Sequence, residues 1–205
     1  MEDNKKLGLV LSGGGAKGAY QLGMLKVLKE KGLLNEITHI SGASIGAINA
    51  VLYLQNDMEL MEKVWNELEQ KKIFDIDEFN ITEETIGFTR KTVTALVRKN
   101  INMKKISASP VVSYASVSRL ITRPDGSTVK EAHYFRMNGE TPDRIESIIL
   151  ASSAFPVLFE PVTIDGEKYI DGGMTDNDPV KPLYDDGVRD FMVIGLTPDT
   201  KLQTD

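Results

Sequence analysis

The sequence contains no cysteine. That removes disulfides, thiol nucleophiles and thiolate metal ligands from the chemistry open to this chain. Histidine is nearly as scarce, with only His39 and His133, so a mechanism that needs a histidine base must use one of those two positions. Long apolar runs are also missing. The run Leu7–Leu11 is short and follows a start that carries Glu2 and Asp3, unlike the basic start and longer apolar core of a signal peptide. No stretch approaches the ~20 apolar residues of a membrane span. The expectation is a soluble, cytoplasmic protein. Positive charge does not dominate, because 24 Lys and Arg against 30 Asp and Glu leave a net charge of -6, and the basic footprint of a nucleic-acid binder is absent. Local apolar or basic patches still leave peripheral membrane contact open. Acidic residues and histidines do not cluster at metal-ligand spacing, and neither a metal nor another cofactor is expected. Repeats and low-complexity linkers are lacking too. The 205 residues, 41% of them hydrophobic, therefore read as a single domain over 1–205 with its motifs within about 7–198.

The pattern of elements points to an α/β class. Leu7–Leu11 reads as a buried strand entering the glycine loop Ser12–Gly18. Tyr20, Met24, Val27 and Leu28 then fall at helical spacing up to Gly32, a C-cap. Ile37–Ile40 is a second strand, and Ser41–Gly46 turns into a helix reaching Tyr53. Met58–Lys72 carries Leu60, Met61, Val64, Trp65 and Leu68 on one helical face. The segment from Phe74 to Lys105 reads as helical around Glu83–Val97, and its Phe79, Ile86, Phe88 and Leu96 suit either a lid or a packed helix. Val111–Ala115 and Ala132–Phe135 are strands flanking the turn Pro124–Gly126. Thr141 caps a helix reaching Ala151, and Asp165–Gly166 joins the strands Val162–Ile164 and Lys168–Ile170 in a hairpin. Asp178–Pro179 reads as an N-cap and first-turn proline, and Phe191–Leu196 as a last buried strand. Strands alternating with helices at both ends predict a largely parallel sheet with hairpins between.

Two glycine-rich turns and one aspartate carry the candidate chemistry. Gly42-Ala43-Ser44-Ile45-Gly46 fits a nucleophile elbow, in which a sharp strand-to-helix turn exposes the serine and the glycines leave room for neighbouring backbone. An ordinary glycine turn with a capping serine would show the same five letters. Gly13-Gly14-Gly15-Ala16-Lys17-Gly18 fits a dinucleotide fingerprint by spacing. The ribose-binding acid expected at the end of the second strand is missing, and a P-loop fails because Ala19 follows Gly18. An oxyanion hole of bare amides remains, beside the possibility of a plain turn. Both loops end adjacent strands at the same sheet edge, which favours the oxyanion reading. A serine nucleophile needs a base. His39 sits in the strand before the elbow and His133 in a strand away from any motif, so both read as structural and a carboxylate becomes the candidate base. Asp171, between a strand and Gly172-Gly173, is the best placed. Asp176 and Asp178 are its rivals, and an ordinary Asp-Gly turn is the plain alternative. Glu83-Glu84 and Lys104-Lys105 read as solvated surface.

Together these residues resemble the patatin-like phospholipase family. Gly13–Gly18 is similar to its oxyanion signature, with a basic residue at Lys17. Gly42–Gly46 is similar to its elbow, and Asp171-Gly172-Gly173 to the motif that supplies its base. Ala151–Pro156, with Phe159 and Pro161, and Asn177-Asp178-Pro179 also resemble its pattern. The resemblance implies a three-layer α/β/α sandwich with a mostly parallel central sheet, like that of malonyl-CoA acyltransferases. It implies a Ser44–Asp171 dyad without histidine, an oxyanion hole at Gly13, Gly14 and Gly15, supporting roles for Lys17, Gly18, Gly42, Gly46, Gly172 and Gly173, and hydrolysis of lipid acyl esters. Lys17 is expected to fix the loop by pairing or hydrogen bonding. An acyltransferase or a lipid-binding module on the same fold is the alternative, and a nucleotide-binding protein a more distant one. The oligomeric state is left open.

Overall fold

The computed structural model describes residues 6–70, 83–156 and 158–197, with the backbone alone at 83–90. The part of the suggested lid at 74–82, including Phe79, lies outside the described residues, as do the side chains of Ile86 and Phe88.

The strands are β1 (Leu7–Leu11), β2 (Ile37–Ala43), β3 (Val112–Thr122), β4 (Thr128–Arg136), β5 (Val162–Ile164), β6 (Glu167–Asp171) and β7 (Asp190–Ile194). The helices are α1 (Gly18–Glu30), α2 (Ile45–Leu54), α3 (Met58–Gln70), α4 (Glu83–Asn100), α5 (Met103–Ser107), α6 (Pro142–Ser152) and α7 (Lys181–Asp185). The strands form one mixed sheet in the order β5-β6-β3-β2-β1-β7, with β4 also paired to β3. β7, β1, β2 and β3 are mutually parallel, whereas β4, β6 and β5 add antiparallel pairings. The α/β class with a central sheet holds. Its parallel half carries the two glycine loops, and its antiparallel half carries Asp171.

β3 decides how those halves meet. Its first residues pair with β2 up to Ala43↔Ser116. Its later residues pair with β6 from Val117↔Asp171 onward. β4 runs along both parts, so β2 and β6 must share the opposite edge of β3. They approach each other end to end there, and the last residues of the two strands face consecutive residues of β3. The sequence pattern suggests a strand ending at Ala115, because Ser116, Ser118 and Arg119 break the apolar run. The structure carries the strand to Thr122. The reason is local satisfaction of the hydroxyls: Ser116 Oγ donates to Asp176 O at 2.9 Å and Ser118 Oγ to Asp171 O at 2.7 Å.

The core lies on one face of the sheet, where α2 packs on β1, β2 and β3, and α6 packs on β3, β5 and β6. Leu9, Leu11, Ile40, Leu52, Met61, Ile106, Ile145, Ile148 and Ile149 are fully buried there. Each contributes ~1.5–3 kcal/mol by leaving water. α1 differs from its expected face. Tyr20 and Val27 are exposed, whereas Gly18, Gln21 and Leu25 are buried. The apolar spacing drew attention away from Gln21, whose burial depends on hydrogen bonds instead. The opposite sheet face is covered more thinly, by Leu183 of α7 and by Val188 against Gly8 and Val10. α7 starts two residues later than an N-cap at Asp178 suggests. Val180 N–H donates to Asp178 O at 2.7 Å in a tight turn, which delays the helix, and Val180 is its N-cap.

Candidate active site

Ser44 sits between β2 and α2 with φ 54° and ψ -125°. A side chain rarely adopts this conformation, so it stores strain of about 1–3 kcal/mol. Close packing holds it. A methyl group on Gly46 would fall 2.1 Å from Leu11 O, and one on Gly42 would fall 2.4 Å from Gly46 O. The strand, the turn and the helix can therefore nest only with glycine at both places. Ser44 N–H donates to Ser152 Oγ at 3.0 Å, and Ser152 Oγ–H donates to Ser116 O at 2.7 Å. Ser152, the last residue of α6, thus ties the turn to the point on β3 where β2 ends.

Asp171 arrives from the other side of that point. Ser44 Oγ–H donates to Asp171 Oδ2 at 2.6 Å, and Gly173 N–H donates to Oδ1 at 2.8 Å. Asp171 N–H donates to Ala154 O at 3.0 Å. Gly172 lets this happen, since an added methyl would lie 2.2 Å from Ser116 O. Asp171 is 2% exposed, and burial pushes its carboxyl up to about 6, against the hydrogen bonds from Ser44 and Gly173 that pull it down. A carboxylate so raised is a better proton acceptor than one in water.

The glycine loop lies against the same turn. A methyl on Gly13 would sit 3.1 Å from Ser44 Cβ. Gly13 N–H donates to Asn177 O at 3.3 Å, and Asn177 Nδ2 donates back to Gly13 O at 3.2 Å. The amides of Gly14 and Gly15 have no acceptor among the described residues. Gly15 takes φ 56°, which a glycine adopts freely. Lys17 is exposed and makes no ion pair or side-chain hydrogen bond among the described residues, so the expected pairing is not seen there. α2 begins directly after Ser44, its N-cap, and points its positive dipole end at the turn.

The rival residues are engaged elsewhere. Asp176 accepts from Tyr134 Oη at 2.6 Å, and Asp178 accepts from Ser12 Oγ. His39 is buried on the thinly covered face, with Nδ1 2.9 Å from Thr38 Oγ1 and Nε2 3.8 Å from Asp186. His133 packs against Phe135 and Tyr169. Among the described residues no group of three or more acidic or histidine side chains could hold a metal ion, and no helix is long and apolar enough to cross a membrane.

Sequence reasoning included Ser152 in the stretch Ala151–Pro156 without giving it a role, and it missed the buried amides Gln21 and Asn49. Asn49 did leave a signal: it is the one polar side chain besides Tyr53 in the otherwise apolar stretch Ile45–Leu54. A buried amide in such a helix implies hydrogen-bond partners.

The sequence model of a family described as patatin-like phospholipase matches residues 9–184. Lysophospholipase NTE1 of Cryptococcus neoformans is 27% identical over 207 residues, covering 96% of this chain and 12% of that protein. Neuropathy target esterase sws of Drosophila melanogaster is 26% identical over 202 residues, covering 96% of this chain and 13% of that protein. The chain thus spans about an eighth of the length of these curated relatives. Among solved structures, VipD from Legionella pneumophila superposes with a TM-score of 0.51 at 19% identity, covering 85% of this chain and 47% of that chain. That likeness concerns the fold.

Proposed function

Because this chain belongs to the patatin-like phospholipase family, we propose that it is a serine acyl hydrolase of lipid carboxylic esters, with Ser44 as nucleophile and Asp171 as its base. The observation that supports this most is the 2.6 Å hydrogen bond from the Ser44 hydroxyl to a buried carboxylate, made by a serine held on a strained turn. Nucleophile and base are already in hydrogen-bond reach, as such a pair requires.

In the first step Ser44 Oγ bonds to the ester carbonyl carbon, its proton passes to Asp171, and the carbonyl oxygen becomes an alkoxide. The amides of Gly14 and Gly15 supply donors for that charge, while Gly13, tied to Asn177, anchors the loop. Collapse breaks the ester C–O bond, and Asp171 returns the proton to the departing alcohol. Water then attacks the acyl-serine as Asp171 again takes the proton, and Asp171 returns that proton to Ser44 Oγ as the acyl C–Oγ bond breaks and the fatty acid leaves. Removing one oxyanion donor in such a site costs ~10²–10³ in rate.

Intact-mass measurement after exposure to a fluorophosphonate probe tests the assignment. One adduct on the parent protein, absent in Ser44→Ala and much slower in Asp171→Asn, is expected. An unlabelled but folded parent would overturn it in favour of a lipid-binding module. Release of fatty acid from lysophospholipids and diacyl phospholipids then reads the substrate class. Transfer to an added alcohol outpacing hydrolysis would mark an acyltransferase.

A further inference from the structure

Gln21, Asn49 and Trp65 form a closed hydrogen-bond network that the proposed reaction does not use directly. Gln21 and Asn49 are fully buried and Trp65 is nearly so. Trp65 Nε1–H donates to Asn49 Oδ1 at 2.9 Å. An indole nitrogen only donates, so this contact fixes which end of the Asn49 amide is oxygen. Asn49 Nδ2 therefore faces Gly18 O at 3.0 Å and Gln21 Oε1 at 2.8 Å. That in turn fixes the Gln21 amide, whose Nε2 donates to Ser12 O at 2.9 Å and Ile194 O at 3.1 Å. All four amide hydrogens and the indole hydrogen are used. Rotating either amide by 180° would set oxygen against carbonyl oxygen.

The two carbonyls gripped inside the loop region are Ser12 and Gly18, the first and last residues of the glycine loop. The remaining anchor, Ile194 O, ends β7 and also accepts Ser12 N–H at 3.3 Å. The network thus fastens both ends of the loop to α2, the helix that follows Ser44: Gly18 directly through Asn49 and Ser12 by way of Gln21, while the Trp65 indole from α3 fixes the Asn49 amide. Trp65 also fills the space above Gly18, where an added methyl would meet its ring at 2.8 Å. Ordinary core packing would be served as well by leucines at 21 and 49. Leucines would leave Ser12 O and Gly18 O without donors, and those two carbonyls help to set where the amides of Gly14 and Gly15 stand relative to Ser44 Oγ.

The geometry points to Gln21, Asn49 and Trp65 as positioning residues that hold the glycine loop in register with the nucleophile, so that its free amides meet the developing alkoxide. This rests on the hydrolase reading above. A mis-set loop loses stabilisation of the transition state while the substrate's ground-state contacts remain, so kcat falls and KM does not.

The test measures kcat and KM for a soluble ester with Gln21→Leu, Asn49→Leu and Trp65→Phe, beside Leu25→Ala as a core control on the same helix as Gln21. Thermal melts fix the folded fraction of each. The expected result is a 10- to 100-fold fall in kcat for the two leucine variants with KM within about threefold, a smaller fall for Trp65→Phe, and no fall per folded molecule for Leu25→Ala. The double variant Gln21→Leu/Asn49→Leu should lose little more than either single one, because the two side chains act as one unit. Unchanged kcat in folded Gln21→Leu and Trp65→Phe would overturn the positioning role while leaving the hydrolase reading intact. A parent protein without esterase activity or probe labelling would remove the reading on which it rests.

Discussion

At the scale of single residues, the proposed nucleophile and base are both held in states that cost stability. Ser44 keeps φ 54° whatever its side chain, and only glycine is at ease there. Ser44→Gly should therefore be inactive yet stabilised by about 1 kcal/mol, whereas Ser44→Ala should be inactive without that gain. Denaturant titration of the two variants separates strain from chemistry. Asp171 gives a second case. Its carboxyl is raised in the fold from 3.8 to about 6, so between those values the folded state holds more protons than the unfolded one. Stability therefore falls as pH rises through that window, by on the order of 3 kcal/mol. Asp171→Asn should melt at a higher temperature than the parent at pH 7.5 and lose that advantage near pH 4. Catalysis runs the other way, because the base must be ionised. kcat/KM of the parent should climb as pH rises through about 6 and then level off, and a profile flat from pH 5 to 8 would count against Asp171 as the base.

At the scale of elements, β3 and the end of α6 do the positioning. Ser152 satisfies Ser44 N–H and Ser116 C=O at once. Ser152→Ala leaves both without their partner in a buried place, at a cost of about 1–3 kcal/mol for such a group, and should lower both Tm and kcat. Ser153→Ala, whose hydroxyl only returns to its own helix at Ile149 O, should do neither. Gly172→Ala forces a methyl against Ser116 O and should shift β6, with activity falling further than stability. These elements show what a sequence displays and what it hides. β1, α2, the β5–β6 hairpin and the Thr141-capped α6 were legible, because glycine, proline and cap residues mark their ends and apolar spacing marks their faces. The second half of β3 was not. Its serines have the look of a loop until their acceptors, Asp176 O and Asp171 O, are known, and those lie about sixty and fifty residues away in the chain.

At the scale of the whole molecule, the two sheet faces respond differently to acid. The helical face is held by apolar burial. The other combines the apolar contacts of Leu183 and Val188 with polar pairs around His39, Tyr114 and Asp186, in which Tyr114 Oη donates to Asp186 at 2.8 Å. Burial lowers the pKa of His39 despite Asp186 nearby, so the unfolded chain takes up a proton more readily below 6.5. Stability from this site is present above that value and lost as pH falls through the window beneath it, opposite in sign to Asp171. His39→Gln should flatten the acid side of the Tm–pH curve, while Asp171→Asn should steepen it. The candidate dyad was legible from short motifs because each one marks a backbone constraint. The glycine-loop clamp was not, since an amide at position 21 or 49 announces only that it needs partners.

The end-to-end meeting of β2 and β6 on one strand makes the candidate catalytic pair a built-in proofreading check. If β6 slid by one residue along β3, Asp171 would turn to the other face of the sheet. If it slid by two, Asp171 would stand roughly 6–7 Å further off. Neither error leaves the proposed dyad partly assembled. Turnover then reports on whether segments more than a hundred residues apart have found each other, and in a refolding experiment it should return later than helical circular dichroism does.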